Sequence, residues 1–182
     1  MQEISLNILD LAQNSITAGA CVIKITIYED SALDTLTVNI NDNGRGMSPL
    51  QLQSVIDPFY TTRATRKVGL GIPFFKMAAE LTGGSFEIAS TIDIGTELSG
   101  VFVRSHIDRM PLGDINATIV TLIQCNPQLD FIYRHSLDAR EFTLDTREVR
   151  KILEGVSLDE YEVIVFLKQY LSDGEKELIN AN

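Results

Sequence analysis

Cations, thiols and long apolar runs are all scarce in this 182-residue chain. Lys and Arg number 15 against 25 Asp and Glu, for a formal net charge of −10. Nucleic acids and anionic membrane surfaces draw proteins through a basic field, so neither is an expected partner. A small polyanion held in a locally basic pocket stays compatible with that balance. The two cysteines, Cys21 and Cys125, lie far apart and match no metal or redox spacing. They are expected to be reduced thiols. No stretch is long enough to span a bilayer, and MQEISLNILD has no basic segment followed by an apolar one. The expectation is a soluble, cytoplasmic protein. Nothing matches G-x-x-x-x-G-K-[ST], and no glycine-rich turn joins a strand to a helix in a βαβ setting.

Apolar residues make up 45% of the chain, enough for a sizeable core. The length fits one domain, or a domain of about 100 to 150 residues with an appendage. The texture changes near Arg104, which divides the chain into 1–104 and a C-terminal α+β extension, 105–182.

Ile4, Ile8, Leu11, Ala12 and Ser15 recur at helical spacing over 3–18, ahead of Gly19. CVIKITIYED and LDTLTVNIND alternate as strands, joined by a connection, Glu29 to Asp34, short enough for a hairpin. Ser48-Pro49 caps and opens a helix through about Ile56. A polar, basic loop, TTRATRKVG, precedes an apolar helix from Leu70 to Leu81. SFEIASTI and GTELSGVFVRS read as a second hairpin. In the extension, Asp114 to Gln124 is a helix, FIYRHSLDAREFTLD a hairpin turning at Ser136 to Ala139, and 146–170 two amphipathic helices parted near Gly155 to Asp159.

The stretch NINDNGRGMSP, from Asn39 to Pro49, carries the most information. Its Asn spacing resembles a calcium loop, but the twelfth residue is Leu50 and no carboxylate occupies the early positions, so calcium is excluded. Asn43-Gly44 suits a tight turn, yet a helix start rather than a strand follows Arg45 to Pro49. A strand ending in an acid, then two glycines, allows the backbone close to another molecule. On the first helix Asp10 and Asn14 are four residues apart and share a face. A carboxylate beside an amide oxygen is hard-ligand chemistry, suited to Mg²⁺ and an activated water. Gly69 and Gly71 sit just ahead of a helix, where amides can meet phosphate. Arg63, Arg66 and Lys67 make that loop basic.

Asn14 within DLAQNSITAGA, then DNGRGM, GLGIPFFK and GTELSGVF, follow the order and approximate spacing of four boxes, and over about 1–104 the chain resembles the GHKL superfamily. That superfamily holds gyrase-type topoisomerases, heat-shock chaperones, MutL proteins, and histidine and anti-sigma-factor kinases. PFYTT looks like the kinase F box, and QNSITAGA is similar to the MutL form of the first box. The resemblance implies a two-layer α/β sandwich, with a mixed, mainly antiparallel sheet and helices on one face. It implies ATP and Mg²⁺ as cofactors. Asn14 would hold the metal, Asp42 would accept the adenine amino group, and Gly44 and Gly46 would let the chain pass the base. Gly69 and Gly71 would bound a lid over Thr61 to Val68, with Arg63, Arg66 or Lys67 reaching phosphate. Thr96 would support Asp42 and adenine through water.

Where the family usually carries Glu as general base, this chain has Asp10, shorter by one methylene, about 1.5 Å. Misplacement of that order can cost about 10²-fold in rate. Phe59, Phe74 and Phe75 are read as core, His106 and His135 as structural, and Glu97, Arg104 and the acidic C-terminal helices as solvated surface. Three functions fit: a kinase passing the γ-phosphoryl of ATP to a partner protein, an ATPase switch, and a nucleotide sensor without turnover. The kinase is preferred. The partners expected are ATP, a protein phospho-acceptor and, as a candidate, a second copy of the chain.

Overall fold

The computed structural model describes residues 3–56 and 71–180. The sequence-predicted PFYTT, the lid, Arg63, Arg66, Lys67 and Gly69 lie outside the described residues, as does Phe59.

Six strands form one sheet in the order β3-β4-β2-β1-β5-β6. These are β1 (Val22–Asp30), β2 (Thr35–Asp42), β3 (Ser85–Thr91), β4 (Gly95–Val103), β5 (Asp130–Leu137) and β6 (Arg140–Asp145). Every neighbouring pair is antiparallel except β1 with β5, which run parallel. A parallel neighbour needs a long crossover. Here α4 (Ile115–Cys125) lies between β4 and β5 and supplies it. The remaining helices are α1 (Ile4–Thr17), α2 (Pro49–Ser54), α3 (Gly71–Leu81), α5 (Thr146–Leu153) and α6 (Tyr161–Asn180).

Alternation within the strands fixes the layers. Ile23, Ile25 and Ile27 of β1, and Leu36, Val38 and Ile40 of β2, are buried on the helix-covered face. Lys24, Tyr28, Asn41 and Glu97 lie exposed on the other. The mixed sheet, mainly antiparallel with helices on one face, is the architecture the motifs implied. Phe75 of α3 is fully buried and meets Phe102 edge-on, their centroids 5.5 Å apart. It needs Gly100 beneath it, because a Cβ there would stand 2.4 Å from its ring.

Residues after 104 do not stand apart from this sheet. β5 and β6 extend it, and one core cluster holds Ile8 and Ile25 together with Ile119, Phe131 and Leu167. The first helix even relies on them. No side chain caps α1, and its first amides donate instead to the carbonyls of Pro111 and Leu112, at 3.0 and 2.9 Å. Those groups would otherwise lack partners.

Several expectations need correction. The hairpin turn, expected over Ser136 to Ala139, falls at Asp138 and Ala139, but α6 runs to Asn180, well past residue 170. Phe74 is partly exposed, at 36%, not core. Arg104 is not free surface: its Nε lies 2.9 Å from a Glu29 carboxylate oxygen. Glu175, on a helix read as solvated, is buried.

Candidate functional site

The site forms where the C-terminal half of α1 crosses the end of β2. The alternation that buries Leu36, Val38 and Ile40 puts the next helix-facing position at Asp42, which is 8% exposed. A buried carboxylate must be hydrogen-bonded. The Ser15 hydroxyl donates to one Asp42 oxygen at 2.6 Å, and the Gly44 amide donates to the other at 2.9 Å. Two donors leave lone pairs on a carboxylate, which offers about four acceptor positions. Asp42 is therefore rigidly aimed without being saturated.

The loop after Asp42 is tied down on both sides. The Asn43 side-chain oxygen accepts from the amides of Cys21 and Val22, each at 2.9 Å. The Arg45 amide donates to the Ala18 carbonyl at 3.0 Å, and its own carbonyl accepts from the Asp93 amide at 2.9 Å. Gly46 has φ +62°, and a Cβ there would lie 1.9 Å from the Thr91 carbonyl oxygen. No other residue fits that position.

Thr96 is the direct cross-strand partner of Asp42. Its hydroxyl lies 2.9 Å from that of Ser90, which also accepts from the Met47 amide at 2.9 Å. A small hydroxyl cluster on β3 and β4 thus sits beside the buried acid.

The second part of the site is the start of α3. A Cβ placed on Gly71 would lie 3.6 Å from the Asp10 Cβ and 3.7 Å from the Asn14 amide nitrogen. The first helix therefore presents Asp10 and Asn14 to the N-terminus of α3, while Ser15, the next residue after Asn14, points to Asp42. The dipole at a helix N-terminus favours an anion. No described group of three or more His, Cys, Asp or Glu side chains could hold a metal. A single amide oxygen suits an ion held largely by phosphates, as Mg²⁺ commonly is.

Of the predicted residues, Asp10, Asn14 and Gly71 meet at one end of the site, and Asp42, Gly44, Gly46 and Thr96 at the other. Ser15 and Ser90 were not predicted as site residues. The signal for Ser15 was available, since a serine on the apolar stripe of a helix needs a buried partner.

Comparison with known proteins decides the family. Residues 1–107 match the family described as "Histidine kinase-, DNA gyrase B-, and HSP90-like ATPase". The chain belongs to this family. Sensor protein SrrB of Staphylococcus aureus is 36% identical over 101 residues, which is 53% of this chain and 17% of that protein. The chain thus spans only a small part of the curated relatives it matches. Among solved structures, the N-terminal domain of a DNA repair protein aligns with TM-score 0.55 and 12% identity, over 80% of this chain and 53% of that one. The Aquifex aeolicus MutL ATPase domain complexed with ADP aligns with TM-score 0.54 and 13% identity, over 85% and 70%. At those identities the likeness is one of fold, and it confirms the GHKL-type sandwich. No helix among the described residues is long and apolar enough to cross a membrane.

Proposed function

We propose that the chain binds Mg-ATP and passes its γ-phosphoryl group to a partner protein. The observation that carries this is Asp42: a buried carboxylate, positioned by Ser15 and Gly44, with lone pairs left for the exocyclic amine of a purine. An ionised acceptor makes a strong, directional bond to such an amine and rejects a base bearing a carbonyl there. Gly44 and Gly46 admit the ring, and Thr96 lies beside the acid to hold a bridging water. Asn14 is the ligand for Mg²⁺, and the metal's chemistry is to neutralise charge on the phosphates. Gly71, at the start of α3, meets the phosphate chain, and the sequence assigns Gly69 and Arg63, Arg66 or Lys67 to the same group. Asp10, exposed on α1 two residues from the buried Ala12, is the base that takes the proton of the accepting group.

The relationship to SrrB favours the kinase over its rivals, because its name places it among sensor proteins and the likeness there is in sequence. The likeness to MutL favours a second reading, an ATPase whose bound nucleotide changes its shape or partners. A sensor without turnover is the third, consistent with Asp10 in place of Glu. Incubation with γ-labelled ATP separates them. Label on a co-purifying protein means kinase, released phosphate means ATPase, and tight binding with neither means sensor. The kinase reading also requires Asp10→Asn to lower transfer by at least about 10²-fold while leaving ATP affinity near wild type.

A further inference from the structure

Three strands carry one polar row beside the loop of Gly44 and Gly46. Ser90 of β3 lies opposite Thr96 of β4, and Thr96 lies opposite Asp42 of β2. All three face the helix layer, in step with Ile88, Leu98 and Ile40. With Asp42 assigned to the base and Thr96 to a bridging water, Ser90 has no role of its own. Its hydroxyl nevertheless has three partners, each at 2.9 Å: the Met47 amide, the Gly95 carbonyl and the Thr96 hydroxyl.

A hydroxyl has one proton and two lone pairs, which fixes the direction of each bond. The Met47 amide can only donate, and the Gly95 carbonyl can only accept. Ser90 therefore spends its proton on Gly95, and the proton between the two hydroxyls belongs to Thr96. Any other assignment leaves one of the three bonds unmade. The direction matters because Thr96 stands directly opposite a buried carboxylate. Opposed side chains on neighbouring strands have Cβ atoms about 4.5 to 5.5 Å apart, a gap that a hydroxyl and a carboxylate can bridge. Among the described residues, though, Asp42 accepts only from Ser15 and Gly44.

We infer, on the Mg-ATP reading of this site, that Ser90 is a positioning residue for base recognition: it captures the Thr96 proton and so keeps the spare lone pairs of Asp42 for the purine amine. Without the Ser90 hydroxyl, the Thr96 proton turns to the strongest acceptor in reach, the Asp42 carboxylate. The acid then has one position fewer for an amine. The freed proton also suits a carbonyl at that place on the ring, as in guanine. Ser90 thus acts through Thr96 on which base is bound, besides tethering the glycine loop through the Met47 amide.

Calorimetry with Mg-ATP and Mg-GTP on the full chain separates these two actions. Ser90→Ala should weaken ATP binding by roughly tenfold and GTP binding much less, so that the preference for ATP falls. Loss of the loop tether alone would weaken both nucleotides alike. Thr96→Val removes the competing proton, so adding Ser90→Ala to it should change ATP affinity by no more than about twofold. Ser90→Cys, similar in volume but a weak acceptor, repeats the comparison if the alanine variant unfolds early in urea. Three results overturn the inference while leaving Mg-ATP binding intact: equal losses for both nucleotides, unchanged ATP affinity in Ser90→Ala, or the same loss on the Thr96→Val background. A wild-type chain that takes up neither nucleotide overturns the Mg-ATP reading itself.

Discussion

Two parts of this molecule bury ionisable groups, and they do so in opposite ways. At the end of β2, Asp42 accepts two hydrogen bonds from the described residues, which leaves lone pairs to spare among them. Under α6, His135 is enclosed completely. Its Nδ1 lies 2.8 Å from a Glu175 oxygen, its Nε2 lies 3.2 Å from Glu29, and the Tyr133 hydroxyl donates to Glu175 at 2.8 Å. Arg104 then holds the far side of Glu29. Burial by itself would lower the pKa of His135. Hydrogen bonds to Glu175 and Glu29 outweigh it and raise the value from 6.5 to about 9. The hydrogen bond from His135 in turn lowers the pKa of Glu29, against its own desolvation. A closed network of this kind joins β1, β5, α6 and the end of β4, and each of its carboxylates meets a counter-charge. Among the described residues Asp42 meets only a hydroxyl and an amide. The contrast separates a brace from a candidate site by whether the buried acid is already paired with a charge.

The largest effect should come from opening the brace. Glu175→Ala leaves a protonated His135 and the Tyr133 hydroxyl short of a buried partner, and should cost about 3–5 kcal/mol in urea denaturation. The folded fraction should bind ATP as wild type does. A variant that keeps its stability but loses ATP would make this region part of the site and end the distinction.

The same brace predicts a pH window. The folded pKa of His135 lies above its ordinary value, so its contribution is full below about 6.5 and is lost as pH rises through 9, on the order of 3 kcal/mol. Glu29 has a depressed folded pKa and acts at the other end: its contribution is present above 4.5 and is lost as pH falls further. Stability measured against pH should therefore fall on the alkaline side, and His135→Gln should flatten that fall. An alkaline limb unchanged in the variant would assign it to other groups.

At the site, Asp42→Asn should weaken ATP binding by about 100-fold, near 2.7 kcal/mol, with little change in unfolding. It should also lose discrimination against GTP, which calorimetry with both nucleotides reads directly. Equal loss of stability and of affinity would mean that Asp42 is another brace. Ser15→Ala removes one bond to the charged carboxylate and should weaken binding less, by about 1.5 kcal/mol. Unaltered affinity there would show that Gly44 alone aims the acid.

Much of the fold was legible because its periods are strong. The two N-terminal strands alternate cleanly, α1 has a full apolar stripe, and Ser48-Pro49 carries a complete capping box. The residues that the structure gathers into the candidate site, from Asp10 to Thr96, were legible as types in order, because each type answers a local chemical need. Ser15 was missed as a site residue because one serine on an apolar stripe reads as tolerated core until its partner, 27 positions away, is known. Arg104 and Glu175 were misjudged for a related reason. Charge on a helix or strand end reads as surface, and only long-range packing reveals a buried counter-charge.

By itself, the order of residues determined the family, the identity of the elements and the candidate site's acid, amide and glycines as residue types, since all of these are local in period or spacing. Tertiary structure alone decided that the segment after 104 joins the same sheet beside β1, that α1 takes its cap from Pro111 and Leu112, and that His135 is clamped between two carboxylates. Those outcomes rest on contacts between residues distant in the chain, and no local pattern encodes which partner a strand edge, a bare amide or a buried charge will find.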